Sequence, residues 1–119
     1  MQTQLPGQRA LRFSELSPPC RKLVRLCQAI NFGSLQKLTV LDGEPTFSPP
    51  PIVALELKLD SDDERRPEVD LDDFQVRDEF QRLLNRIEHF RDGMIERIEV
   101  RAGIPRRLFF QTVGTEVLR

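Results

Sequence analysis

Six arginines in the last third of the chain offer the strongest candidate for specific binding. They are Arg82, Arg86, Arg97, Arg101, Arg106 and Arg107. Two of them lie on one predicted strand and two on the strand that returns beside it, so an arginine-rich sheet edge could contact phosphates. The alternative, which we favour, is a solvated face paired with Glu96 and Glu99. Tyr and Trp are absent, so stacking on bases would depend on phenylalanines that the core needs.

The two cysteines and the single histidine are weaker candidates for a functional site than the arginines. Cys20 and Cys27 lie seven residues apart on a predicted helix, about 10 Å along its axis, which is too far for a disulfide. Their apolar positions predict small buried side chains in a reducing compartment. His89 falls near the end of the second predicted helix, where we expect it to interact with the helix terminus. No second histidine or thiolate pair completes a zinc site.

The acidic residues between the helices resemble the beginning of a calcium loop. Asp60, Asp62, Asp63 and Glu64 resemble its opening, but Arg65 and Leu71 stand where such a loop has glycine and glutamate, which leaves adventitious cation binding as the minor alternative. We therefore interpret this run as a solvated linker. With no activated nucleophile and no phosphate-binding glycine loop, we expect no catalytic residue, cofactor or metal. A carboxylate pair brought together by the fold stays open as an alternative.

Length and composition describe one domain over residues 1–119. Apolar residues make up 39% and charged residues 31% of the chain. Since no apolar run approaches the roughly 20 residues of a membrane span and no signal peptide is seen, we expect a cytoplasmic protein without a membrane partner. The net charge of −1 conceals an acidic middle, where residues 41–80 hold thirteen acidic and four basic side chains.

The chain repeats itself at an offset of sixty residues. Five residues of the first half recur without a gap in the second, namely Leu23, Gly33, Val40, Gly43 and Pro45 as Leu83, Gly93, Val100, Gly103 and Pro105. This pattern predicts an internal duplication, with repeats at about 17–59 and 73–113 joined by an acidic linker at 60–72. Each repeat would cover the apolar face of the other about a pseudo-twofold axis.

Each repeat reads as a helix followed by a hairpin. In the first, Ser17 and Pro18 mark the helix start, and Gly33 is predicted to end the helix in a left-handed conformation. A strand at 37–41, a two-residue turn at Asp42-Gly43 and a returning strand from Pro45 follow. Residues 52–59 then alternate as a half-buried strand.

The second repeat predicts a helix over about 73–91 and strands at 96–101 and 105–113. Ala102 resists positive φ, so its turn is expected to be longer or of another type than the first. Leu35, Leu38 and Val40, like Ile95, Ile98 and Val100, break strict alternation, which predicts a bulge or turn before the strand. The order α-β-β-β-α-β-β predicts an α+β two-layer sandwich, with two helices on one face of a four- to five-stranded antiparallel sheet.

One stretch of the first repeat resembles a known family. Residues 30–35 together with Asp42-Gly43 are similar to the YezD-like family of small uncharacterised bacterial proteins, through Phe32-Gly33, alternating aliphatic residues and Asp-Gly. The second repeat departs from this pattern, because Asp92 replaces the aromatic residue and Ala102 the aspartate. The resemblance implies an α-β-β unit in a bacterial protein. It implies no activity, cofactor or functional residue.

The sequence thus predicts a non-catalytic binding or assembly module, bound to a protein partner or forming a homo-oligomer. The reasons are the lack of catalytic groups and two hairpins that leave sheet edges open to a partner. A nucleic-acid-associated regulator that uses the arginine-rich sheet edge is the alternative. A small-ligand or enzyme site in a groove between the repeats is the third possibility.

Overall fold

Two helices and a single antiparallel sheet make up the part of the chain that the computed structural model describes, residues 10–112 and 114. In chain order the elements are α1 (Pro18–Ile30), β1 (Gly33–Leu41), β2 (Glu44–Thr46), β3 (Ile52–Leu55), α2 (Asp78–Phe90), β4 (Gly93–Arg101) and β5 (Ile104–Phe109). Short 3₁₀ turns at Phe13–Glu15 and Pro67–Asp70 precede the two helices. The predicted α+β fold is confirmed.

The sheet is centred on the antiparallel pair β1 and β4. Their register places Gly33 opposite Val100 and Val40 opposite Gly93. β2 and β3 both pair with the outer edge of β1, and β5 pairs with the outer edge of β4. The two ends of the sheet are therefore β2 with β3 on one side and β5 on the other.

The core lies between the sheet and the helices. The six aliphatic residues of β1 and β4 that break strict alternation are all buried, and they are Leu35, Leu38, Val40, Ile95, Ile98 and Val100. In β1 the phase changes at Lys37, which has a φ of 57° inside the continuous strand Gly33–Leu41 rather than in a turn before it. Leu23 and Cys27 of α1 and Leu83 and Ile87 of α2 cover this face.

Both hairpins turn in two residues. Asp42 and Gly43 have φ of 54° and 76°, as predicted for Asp-Gly. Ala102 and Gly103 adopt φ of 54° and 74°, so the expectation of a longer or different second turn is wrong. The reason is a tertiary contact, because the buried Gly103 N–H donates to the Asn31 carbonyl at 2.8 Å and holds the turn in shape.

The helices end at residues other than the predicted glycine. Asn31 and Arg91 occupy the positive-φ position after α1 and α2, with φ of 62° and 59°, while Gly33 already belongs to β1. The Asn31 carbonyl accepts from Gly103 N–H, and the Arg91 carbonyl accepts from Gly43 N–H at the same 2.8 Å. Each helix end is thus tied to the hairpin turn of the opposite half.

Several predicted elements have different bounds. The strands predicted from 37 and 96 begin at Gly33 and Gly93, and β5 ends at Phe109, whereas the strand predicted at 105–113 reaches a residue outside those described. α2 begins at Asp78 rather than residue 73, because Phe74 and Val76 enter the core from an extended segment. Phe74 stacks on Phe13 with ring centroids 4.8 Å apart. The strand predicted at 52–59 spans only Ile52–Leu55 and is exposed rather than half-buried, because the core ends before it reaches this edge.

The acidic linker lies against α1. Arg25 donates to the carbonyls of Glu68, Val69 and Leu71, and its guanidinium also lies over the rings of Phe13 and Phe74. Arg65 donates to the Gln28 carbonyl at 2.9 Å. The linker therefore attaches to the helix of the first half through arginine side chains.

Candidate functional site: an arginine groove and an apolar segment

Four of the six candidate arginines line one cavity, here called the arginine groove. It has a volume of about 440 Å³ and lies between α2 and β5. Arg82 and Arg86 reach it from α2, where the i, i+4 spacing places them on the same face. Arg106 and Arg107 reach it from β5.

The floor of the arginine groove is apolar. Leu83 and Ile98 belong to the core, and the rest of the floor comes from Pro105, Leu108 and Phe110. Phe110 is half exposed and meets Phe90 edge to face at 4.8 Å. The groove therefore offers a ligand a hydrophobic base with guanidinium groups around it.

Most of the positive charge in the groove lacks an internal partner. Arg106 Nη1 lies 3.0 Å from Glu79 Oε2. Arg82, Arg86 and Arg107 form no ion pair with any residue that the structure describes. Because Coulomb attraction grows as water is excluded, an anion seated over the apolar floor would interact with these three side chains more strongly than in bulk solvent.

The other two candidate arginines lie outside this groove. On β4, Arg97 Nη2 is 3.8 Å from Glu99, and Arg101 Nη1 is 3.5 Å from Glu56. Arg101 shares a neighbouring depression with Arg106, Arg107 and Glu99. The structure thus divides the six residues into a groove set and a pair with acidic neighbours, and that pair fits the solvated face expected from the sequence.

An exposed apolar segment lies at the opposite end of the sheet. Residues 52–59, here called the apolar segment, expose large hydrophobic side chains, with Leu57 at 70% and Leu59 at 98% of their full accessible surface. The outer edge of β3 pairs with no strand among the described residues. Sequence reasoning placed this segment at the core face, although the acidic residues directly after it were a signal for solvent.

A second cavity of about 410 Å³ lies between the two halves, where the sequence left a ligand or enzyme site open. Glu15, Glu44 and Glu88 line it together with Cys20. Burial raises the pKa of the Cys20 thiol, which disfavours the thiolate that a nucleophile needs. Cys27 is fully buried, and burial raises its pKa to about 12. Both thiols are free, but only Cys27 is the buried core residue that the sequence predicts, because Cys20 is half-buried at the edge of the core.

The remaining chemistry-bearing side chain is that of His89, near the end of α2. His89 Nδ1 lies 2.7 Å from the Asn85 carbonyl, one turn earlier on α2, so the histidine contacts its own helix end as expected. The described residues contain no cluster of three side chains suited to hold a metal ion. Among them, no helix is both long and apolar enough to cross a membrane.

Comparison with known proteins returns no match among family models, curated proteins or solved structures. The resemblance of residues 30–43 to the YezD-like family stays a prediction. The arginine groove and the apolar segment are the two surface features of the described residues that point to a binding function.

Proposed function

We propose that this chain is a non-catalytic assembly module that binds further copies of itself to form a homo-oligomer. The observation that carries this proposal is the apolar segment beside the open edge of β3. Leu59 stands almost fully in solvent and Leu57 is 70% exposed, and complete burial of an exposed leucine contributes about 1.5–3 kcal/mol. An unpaired strand edge with exposed aliphatic side chains is a surface that proteins normally cover with a partner strand or element.

We also propose that the chain contains two α-β-β repeats related by a pseudo-twofold axis, as the YezD-like resemblance implies for one unit. Two observations support this. Gly33 pairs with Val100, and Val40 pairs with Gly93. These two pairs are equivalent, because at the sixty-residue offset Gly33 corresponds to Gly93 and Val40 to Val100. The contacts from Gly43 to Arg91 and from Gly103 to Asn31 are equivalent at the same offset. The inner edges of β1 and β4 already pair with each other, so assembly through strand edges has to use the outer edges of the sheet.

The location that we propose is the bacterial cytoplasm. The free thiols of Cys20 and Cys27 fit a reducing compartment, and the YezD-like resemblance implies a bacterial source.

Sedimentation velocity over a concentration series tests the assembly proposal. The wild-type chain is expected to increase in mass with concentration, and Leu57→Asp/Leu59→Asp to remain monomeric. Leu41→Asp is the matched control, since Leu41 is 53% exposed but lies at the end of β1, away from the apolar segment. A strictly monomeric wild type at high concentration would overturn the proposal.

A nucleic-acid-associated regulatory role is the second candidate, and it is favoured by Arg82, Arg86 and Arg107, which form no ion pair within the described part of the chain. If the arginine groove binds phosphates, Arg82→Glu/Arg86→Glu should abolish binding of a labelled oligonucleotide, and added salt should weaken wild-type binding steeply. Arg97→Glu, outside the groove, is the control. An absence of binding at low salt would retire this candidate.

A further inference from the structure

We propose that the arginine groove of one molecule receives residues 57–63 of a second copy, so that copies join head to tail. This inference rests on the proposed self-association and names the two surfaces that meet. It adds a partner for the groove, which the proposed function leaves unassigned.

The chemistry of residues 57–63 complements that of the groove in order along the chain. Leu57 and Leu59 are separated by one residue, so in an extended chain they point to the same side, about 7 Å apart. The acidic side chains of Asp60 and Asp62 follow directly. An apolar floor with a guanidinium rim would bury the two leucines and bring these carboxylates to the arginines, as bidentate pairing favours.

Residues 57–63 are held in place on their own molecule. On one side, Glu56 N–H donates to the Phe32 carbonyl at 2.8 Å. On the other, Asn31 Nδ2 donates to the Glu64 carbonyl at 3.1 Å. Between these anchors residues 57–62 are exposed, whereas Asp63 is half-buried, with its Oδ1 3.7 Å from Lys58 Nζ. Asp60 and Asp62 are therefore the carboxylates presented to a partner, with little chain left to order, which lowers the entropic cost of docking.

The strand order separates β3 from the arginine groove of its own chain. Residues 58–62 lie beside the β4–β5 turn, where Lys58 and Asp62 line a cavity with Ala102 and with none of the groove arginines. β3 pairs with one edge of the sheet and β5 forms the other edge, with β1 and β4 between them. Three strand spacings separate them by roughly 14 Å. A second copy can supply these residues where the same chain cannot.

Among the described residues, the first half of the chain has no counterpart of the arginine groove. The residues sixty positions before Arg82, Arg86 and Arg107 are Lys22, Leu26 and Phe47. Phe47 packs against the core, and Lys22 Nζ lies 4.6 Å from the centre of its ring. Each copy has one inserted segment, residues 57–63, and one arginine groove that receives it. The contact is therefore heterologous and produces a ring or an open chain of copies.

A complementation experiment tests this pairing with two exposed-surface variants. Arg82→Glu/Arg86→Glu disables the groove, and Leu57→Asp/Leu59→Asp disables the inserted residues. In sedimentation velocity, the wild type should form species larger than a dimer, while each variant alone should remain monomeric. An equimolar mixture should form a dimer and stop there, because each dimer has one intact contact and two disabled surfaces. Circular dichroism spectra of both variants should match the wild type.

Each other outcome has a distinct meaning. A wild type that stays monomeric overturns the proposed function and this inference with it. A wild type that assembles, with a groove variant that assembles equally well, overturns the inference alone, and β3 edges that pair with each other would give that result. Two monomeric variants that fail to combine also overturn it, because a heterologous contact requires complementation. Lys22→Glu serves as the charge-reversal control and should assemble like the wild type.

Discussion

The two halves of the molecule share their helices and inner strands but differ at their outer surfaces. α1 and β1 have counterparts in α2 and β4 with bounds displaced by sixty residues. The shared positions include those that join the halves, such as the turn glycines that donate to the opposite helix end. At the periphery, β3 extends the sheet beside the first half, while the second half carries the arginine groove. The two halves thus resemble each other most at the positions where they contact one another and least at their outer surfaces.

The largest expected difference between the halves is at the glycine that begins each inner strand. A Cβ on Gly33 would lie 2.0 Å from the Ala54 carbonyl oxygen, whereas one on Gly93 would meet nothing within 4 Å. Gly33 also has a φ of +154°. We expect Gly33→Ala to lower the free energy of unfolding by about 2–3 kcal/mol and Gly93→Ala to change it by less than about 0.5 kcal/mol. Urea denaturation measures both, and equal effects would show that β3 does not approach β1 this closely.

A second difference is the arginine that binds the acidic linker to α1. Arg25 donates to three backbone carbonyls, whereas its counterpart Asn85 has an exposed side chain on α2. Removal of a charged donor that serves buried or half-buried acceptors costs about 1.5–3 kcal/mol, so Arg25→Ala should destabilise by about 2 kcal/mol. Asn85→Ala should be neutral in the same thermal denaturation. A neutral Arg25→Ala would mean that the linker does not depend on this side chain.

Sequence patterns predicted the shared parts of this comparison well. The helical stripes around Leu23 and Leu83 and the Asp42-Gly43 turn are local signals, in which each residue type has a direct conformational preference. The aliphatic residues of the two inner strands were also recognised as core. These features depend on neighbours within one element, so the sequence alone was sufficient for them.

The parts that sequence reasoning missed depend on distant partners. Gly33 resembled a helix cap, but its small size serves the approach of Ala54, twenty-one residues later. The alternation of residues 52–59 is that of a half-buried strand, yet whether a strand is covered depends on how far the helices extend. Arg82 and Arg107 could be named as candidates, but only the packing of α2 on β5 shows which arginines share a groove.

A smaller difference lies at the first residue before each helix. Ser17 and Arg77 have nearly the same backbone conformation, but only Ser17 caps its helix, with its hydroxyl accepting from Cys20 N–H at 3.4 Å. Arg77→Ser would supply the missing cap and should stabilise the protein by about 0.5–1 kcal/mol, after loss of a weak exposed ion pair with Glu79. Ser17→Arg should cost about 1 kcal/mol. Thermal melts that fail to move in opposite directions would contradict equivalent helix starts.

The smallest expected effect concerns acid and the segment before α2. The backbone N–H of Ser14 donates to Asp73 Oδ1 at 2.9 Å, and this hydrogen bond, with a further one from Arg12, lowers the pKa of Asp73 below its usual value. A carboxylate with a lowered pKa stabilises the fold above its unfolded-state pKa, and that contribution disappears as pH falls through the folded-state value. Asp73→Asn should therefore be slightly less stable at pH 7, and the difference from wild type should narrow as the pH is lowered from 7 to 2. Asp72→Asn, whose carboxylate forms no hydrogen bond to the residues described, is the control in urea denaturation at both pH values. A constant difference across this range would show that the charge of Asp73 does not link the segment before α2 to the 3₁₀ turn at Phe13–Glu15.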